Sequence, residues 1–284
     1  MHKPNILIVG HGFVGKAVDY AFSNANYRYI VDPKYGTTIP SNLKPYDAIF
    51  ICVPTPMGDD GSIDDSILND VLEQVAGHEL VIVKSTVPPD VINRYPTVVY
   101  NPEFLTEKSA NEQFVSAKFH ILGGEPGKTK RVEHLYTNHS LCDHAEFYHM
   151  SREEASYVKY TVNSFLAMKV TFFNQLYDSM KDNPRVNYNK VIKAVAADDR
   201  IGSSHTKVPG FDGKQGYGGA CFPKDTAAFT KFSNKLTLLE KCIMINNDYR
   251  SQYELDNREI EQNVNYGQTK EEQQDQNDGS PSSI

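Results

Sequence analysis

The chain has 284 residues, 39% of them hydrophobic and 23% charged, with a formal charge of -7. That composition suits a soluble globular protein with room for two compact domains, and the excess of acid argues against a nucleic-acid binder. No apolar run approaches bilayer-spanning length, the first strand starts within a few residues of the N-terminus, and the four cysteines are scattered without a C-x-x-C pair; no membrane span, no signal peptide, no metal site and a reducing, cytoplasmic setting are therefore expected.

The first predicted strand, Asn5-Ile-Leu-Ile-Val9, runs into Gly10-His-Gly12-Phe-Val-Gly15 and then into a helical pattern through Ala17, Val18, Ala21 and Phe22. A strand, G-x-G-x-x-G and a helix in that order form the dinucleotide-binding fingerprint. Gly10 permits the tight turn, Gly12 lets a pyrophosphate approach the backbone, and Gly15 lets the helix pack closely on the strand. Phe13 and Val14 lie inside the same turn and belong to the expected cofactor site. The next strand, Tyr29-Ile-Val31, ends at Asp32, placed to accept from the ribose hydroxyls and to repel a 2′-phosphate; this favours NAD, while Lys34 beside it leaves NADP open.

Further apolar runs follow at Ala48–Val53, Leu80–Val83, Thr97–Tyr100 and His120–Leu122, with a helical period over Ile67 to Val75. Continuous rather than alternating hydrophobicity predicts strands buried on both faces. The expected fold class is α/β, a Rossmann-like doubly wound, mostly parallel sheet over residues 1–150, followed by a mainly helical second domain over 151–255. Ser151 and Glu154 form a capping-box start, and Tyr157, Thr161, Phe165, Met168 and Phe172 follow helical spacing, which predicts one long helix. More helices are expected over Val191–Ala197 and Leu236–Tyr253, separated by a loop through Gly202 to Gly219.

Within that loop's end lies Gly216-Tyr-Gly-Gly-Ala-Cys221-Phe-Pro-Lys-Asp225, a cysteine where a helix begins. Unpaired N–H groups, the positive end of the macrodipole and Lys224 would favour thiolate there. Read alone, the segment fits a small buried cysteine in a turn as well as a nucleophile. Asp225 lies one helical turn after Cys221, able to orient a water or proton. Lys159 and Asn163 repeat that spacing on the long helix, where they read either as a solvated face or as a pair that holds an oxyanion. Residues 256–284 are rich in Glu, Gln, Asn and Asp and are expected to form a polar tail, disordered or a frayed helical extension.

Read together, these blocks resemble the UDP-glucose/GDP-mannose dehydrogenase family of nucleotide-sugar dehydrogenases, most closely its UDP-glucose 6-dehydrogenases. The resemblance covers about Asn5 to Arg250. It rests on the glycine fingerprint, Val53-Pro-Thr-Pro56, Lys84-Ser-Thr-Val-Pro88, Asn101-Pro-Glu-Phe-Leu105 with Glu107, Lys159 with Asn163, Asp199-Arg-Ile-Gly202, and the cysteine segment, in family order. It implies oxidation of a sugar C6 alcohol to a carboxylate with two NAD and one water. Cys221 would add to the intermediate aldehyde and carry the resulting thioester to hydrolysis. The alternatives are a dehydrogenase of GDP-mannose or a UDP-N-acetylhexosamine, or a catalytically silent NAD-binding and subunit-association module that retains the old site.

The resemblance also implies roles for single residues. Thr86 and Glu103 would position the catalytic water, although Thr86 also reads as a strand-end hydroxyl bonded to backbone. Lys159, Asn163 and Asp225 complete the catalytic set. Lys34, Val53, Pro54, Thr55, Thr86 and Glu107 would join the glycine loop and Asp32 around NAD. Phe104, Leu105, Glu107, Lys159, Asn163, Gly218, Phe222 and Lys224 would contact a nucleotide sugar, UDP-glucose being the expected one. A homodimer is implied, made by the Leu236–Tyr253 helix with its Leu238, Leu239, Cys242, Ile243 and Ile245, and Arg200 would reach the partner's substrate. Family members continue into a nucleotide-covering domain where this chain has its polar tail, so residues after Asp256 are expected to be dispensable for catalysis.

Overall fold

The computed structural model describes residues 3–267. The chain divides into two compact units: residues up to Thr55 with Ile63–Tyr160, and Pro56–Ser62 with the residues from Thr161 on.

In the first unit, and among the described residues, the strands β1 (Asn5–Val9), β2 (Tyr27–Val31), β3 (Ala48–Ile51), β4 (Val81–Val83), β5 (Val99–Tyr100), β6 (Phe119–Gly123) and β7 (Glu146–Met150) form one sheet in the order β2-β1-β3-β4-β5-β6-β7. All pairings are parallel except the single antiparallel bridge between Tyr100 and Gly123. The order places β1 between β2 and β3, so the chain reverses its direction of winding after β2, and β1 ends at that switch point. The helices α1 (Phe13–Ala21), α2 (Ser66–Gln74), α3 (Pro89–Asn93), α4 (Ala110–Val115) and α5 (Pro126–His139) connect the strands. Ile6, Ile8, Phe22, Phe50, Ile82 and Tyr136 pack into the core. The apolar runs of β1, β3 and β4 are buried as the continuous hydrophobicity predicts.

The strand β7 carries no such run. Its sequence Glu-Phe-Tyr-His-Met is largely exposed, and it exists because its backbone pairs with β6 along the sheet edge, a tertiary contribution that hydrophobic periodicity does not register.

The helix α6 (Arg152–Lys181) is the predicted long one. The capping box is formed: Ser151 N–H donates to Glu154 Oε2 at 2.7 Å, and Glu154 N–H donates to Ser151 Oγ at 3.1 Å. The unit boundary falls at Tyr160 rather than at 150, because the first turns of α6 belong with the sheet. Ser156 Oγ donates to the Val87 carbonyl at 2.7 Å, and a Cβ on Gly123 would lie 2.7 Å from that of Ala155.

The second unit is helical: the rest of α6, α7 (Tyr188–Val195), α8 (Phe222–Phe232), α9 (Thr237–Arg250) and α10 (Asn257–Glu261). Phe173, Tyr188, Ile192 and Val208 form a core of their own. The expectation of a disordered or frayed tail from residue 256 is corrected over the described residues. Asp256 caps α10 in a reciprocal capping box with Glu259, and Glu259, Val264 and Tyr266 are buried. Polar composition misled here because the buried group is itself a carboxylate, held by donors rather than by apolar packing. Residues 268–284 of the expected tail lie outside the described part. On α9, Leu239 is buried within the unit, whereas Leu238 and Met244 are 66% and 57% exposed.

A Cβ on Gly15 would stand 2.0 Å from the Gly10 carbonyl oxygen. Gly15→Ala must therefore push α1 off β1, and a loss of about 2–3 kcal/mol in denaturant unfolding is expected, together with weakened NAD binding in a fluorescence titration.

Candidate functional site

The cofactor half of the site is built where β1 meets α1. Gly10 has φ +89°, and a Cβ there would collide with the Cys52 carbonyl at 2.6 Å, so only glycine fits the turn. A Cβ on Gly12 would meet no protein atom within 4 Å, leaving the approach to the start of α1 open. Phe13 and Val14 open α1. At the end of β2, Asp32 Oδ2 accepts from His11 N–H at 2.7 Å and Oδ1 accepts from Lys34 N–H at 2.9 Å, which ties the carboxylate to the glycine loop. Two tight glycines, one open one, a helix start and an acid at the next strand end are the features that a dinucleotide's pyrophosphate and ribose require. These residues fit NAD.

The loops after β3 and β4 are stitched together. Thr55 Oγ1 donates to the Thr86 carbonyl at 2.8 Å, and Ser85 Oγ donates to the Val53 carbonyl at 2.6 Å. Thr55 and Thr86 are buried, while Pro54 is exposed. Behind them, Lys84 donates to the carbonyl and side-chain oxygens of Asn101, both at 2.9 Å, and burial lowers its ammonium pKa to about 8.

This support fixes the segment that follows. Glu103 is buried; its Oε2 accepts from Leu105 N–H at 2.5 Å, and Lys159 Nζ approaches Oε1 at 3.3 Å and donates to the Glu103 carbonyl at 2.6 Å. The Lys159 ammonium also lies 5.3 Å from the Phe104 ring centre. Phe104 and Leu105 line a cavity of about 310 Å³ with Lys84, Glu103 and His120. Glu107 is exposed at the start of a short 3-10 turn.

In the second unit, Cys221 is the N-cap of α8, half-buried, with its carbonyl accepting from Asp225 N–H at 2.9 Å. Burial pushes the Cys52 thiol up to about 12 and also raises Cys142 and Cys242, which disfavours their thiolates. Asp225 is buried, its Oδ2 accepting from Asn163 Nδ2 at 2.6 Å and its Oδ1 from Lys224 Nζ at 2.7 Å. Lys224, expected to meet the substrate, is therefore buried against Asp225. Asn163 and Asp225 are brought together as a pair, and α6 carries Lys159 and Asn163 one turn apart. Phe222 opens α8 and contacts the Tyr217 ring edge-on at 6.2 Å. Arg200 is exposed, its guanidinium on Asp198 at 2.6 Å.

A set of residues that the sequence reading did not assign holds the cysteine loop. Asn246 Oδ1 accepts from Tyr217 N–H at 2.6 Å, and Asn246 Nδ2 donates to the Tyr217 carbonyl at 3.0 Å. Glu259 Oε1 accepts from Gly219 N–H at 3.1 Å and from Arg250 Nη2 and the Tyr266 hydroxyl, both at 2.7 Å. Burial alone would raise the Glu259 pKa, but these hydrogen bonds, the Asp256 N–H and the Arg250 charge outweigh it and hold the carboxyl below its ordinary value. The Asp256-x-x-Glu259 spacing was the readable sign of order in this segment.

Residues 33–140 match the NAD binding domain of the UDP-glucose/GDP-mannose dehydrogenase family, and residues 153–248 match the same family's central domain. The chain belongs to this family. The UDP-glucose 6-dehydrogenase of Rhizobium meliloti is 33% identical over 225 residues, which cover 71% of this chain and 50% of that enzyme. The enzyme of the same name from Campylobacter jejuni is 31% identical over 229 residues, covering 75% of this chain and 56% of the other. A UDP-glucose dehydrogenase structure from Pyrobaculum islandicum superposes with a TM-score of 0.71 at 28% identity, over 87% of this chain and 68% of that one. The chain spans about half the length of these curated relatives. The match to the family's NAD binding domain falls mostly within the chain's first unit. Among the described residues no helix is long and apolar enough to cross a membrane, and no group of three His, Cys, Asp or Glu side chains could hold a metal.

The buried Lys159–Glu103 pair gives a stability prediction for this family member. Removing one partner leaves the other charge unpaired, so Lys159→Ala should cost about 3–5 kcal/mol in urea unfolding. In the cycle with Glu103→Gln, the double variant should be less destabilised than the sum of the single variants.

Proposed function

We propose that this chain carries out NAD-dependent, four-electron oxidation of the C6 alcohol of a nucleotide sugar, with UDP-glucose as substrate and UDP-glucuronate as product. The observation that carries the reading is Cys221 at the start of α8, one turn before a buried Asp225 that is hydrogen-bonded to Asn163. Family membership and the fit of the glycine loop to NAD support it.

Bound NAD supplies the hydride acceptor for each two-electron step. The chain's residues do the rest. The Cys221 thiolate, favoured by the N-terminus of α8, adds to the aldehyde carbon formed in the first oxidation. Loss of the second hydride leaves a thioester, and water cleaves it to the carboxylate and returns the thiol. The second oxidation thus occurs on a carbon already bonded to the protein, and no free aldehyde need escape. Asn163, oriented by Asp225, donates to the oxyanion of the adduct; the family resemblance gives Lys159 the same role and Asp225 that of orienting a water or proton. The same resemblance gives Glu103 and Thr86 the ordering of the attacking water.

The exposed Leu238 and Met244 on α9, with Phe165 and Phe172 on α6, give the second unit an apolar surface suited to a homodimer in which Arg200 serves the partner's substrate. Arg200→Ala and Cys221→Ser chains should then complement one another when mixed; two inactive parents that give an inactive mixture would count against it.

The test of the activity is NADH absorbance with UDP-glucose, GDP-mannose and UDP-N-acetylglucosamine in parallel. UDP-glucose should give the largest signal. Cys221→Ser should form no uronate while binding NAD as the parent does, because an alkoxide is harder to generate and its ester harder to cleave. Full turnover by that variant would rule out the covalent route.

A further inference from the structure

The loop before Cys221 has almost no side chains with which to hold itself. Gly216 and Gly219 have φ of +74° and +81°, and Tyr217 supplies the one large side chain of Gly216–Gly219. Glycine-rich backbone has the most conformational freedom to lose on ordering. The fixing contacts come from elsewhere in the second unit: Asn174 Oδ1 accepts from Gly216 N–H at 3.1 Å, Asn246 brackets Tyr217, and Glu259 takes Gly219 N–H. The last of these lies two residues from the thiol.

Glu259 is wholly buried and satisfied on both oxygens. Oε2 accepts from Asp256 N–H at 2.8 Å, and Oε1 gathers Gly219 N–H, Arg250 and Tyr266. Arg250, itself 1% exposed, extends the tie to Asp212 Oδ2 at 2.7 Å on the Val208–Lys214 approach to the loop. The fit is tight as well as polar. A Cβ on Gly218 would lie 2.1 Å from Arg250 Nη2 and 2.4 Å from Glu259 Oε1, so the loop lies directly on this ion pair.

We propose that Glu259 is a positioning residue for Cys221: its carboxylate, carried on α10, fixes the Gly218–Gly219 turn and thereby the place and direction in which α8 presents the thiol. This rests on the reading of Cys221 as the covalent nucleophile. It reverses the expectation that everything after Asp256 is dispensable. Reaction geometry is sensitive at this level, since a shift of about 1 Å in a reacting group can cost about 100-fold in rate. Glutamine at 259 retains one acceptor oxygen for Gly219 but loses the charge against Arg250 and presents a donor where a second acceptor is needed; alanine loses everything.

The test compares Glu259→Gln and Glu259→Ala, each in the chain of residues 1–284, with the parent in three measurements. Amide hydrogen exchange of the peptide spanning Gly216–Phe222 should quicken at least tenfold in the alanine variant and less in the glutamine variant, with β1 and α1 unchanged. Alkylation of Cys221 by iodoacetamide, followed by mass spectrometry across pH, should change its rate profile in the same order. The kcat for sugar-nucleotide oxidation should fall at least tenfold while NAD affinity holds. If the alanine chain does not fold, the glutamine chain decides. Parental exchange and alkylation profiles in a folded variant overturn the proposal, as does a kcat within twofold of the parent. A parent that makes no NADH from any sugar nucleotide would instead defeat the enzymatic reading; exchange and alkylation would still decide the role of Glu259.

Discussion

A charge removed from water costs several kcal/mol unless a counter-charge and hydrogen bonds are held against it. That constraint governs Lys159 with Glu103, Lys224 with Asp225, and Arg250 with Glu259, all of them almost fully buried. Hydrophobic replacement of such pairs is often neutral or stabilising, so stability alone does not account for them. Their common property is direction. A carboxylate with both oxygens engaged, or an ammonium against a carbonyl, holds its neighbours in one geometry, and each pair lies on or beside a segment that the proposed chemistry uses.

The two units spend their structure differently. In the first, continuous apolar strands make a sheet whose β1 ends in a loop with one open glycine between two tightly packed ones, an arrangement that leaves backbone rather than side chains at the start of α1. In the second, the glycine-rich loop has few side chains of its own to fix it, and buried polar groups such as Asn174, Asn246 and Glu259 do so instead. A thiol at a helix start needs this rigidity, because the dipole and N–H groups that favour thiolate act only within the first turn.

The sheet strands β1 to β6, α1, the start of α6 and the cysteine loop were all legible in the sequence, each from a strong local signal: an apolar run, a glycine fingerprint or a capping box. What escaped had its cause in tertiary contacts. The exposed β7 is a strand because β6 offers an edge, and α10, whose capping box was readable, is further tied down by Glu259 through Arg250 and the Gly219 amide. Leu239 and Leu238 are adjacent and equally apolar, yet one is buried and the other exposed, a distinction that requires the neighbouring helix. The side-chain partners of the candidate site residues, such as Lys224 with Asp225, were not readable, because they are set by tertiary packing.

In the proposed reaction the Cys221 thiol holds the aldehyde carbon between the two oxidations. The most direct measurement is the ratio of NADH formed to uronate formed in a reaction containing semicarbazide as an aldehyde trap. Two NADH per uronate and no trapped aldehyde are expected. One NADH per sugar nucleotide, with the semicarbazone accumulating, would contradict it.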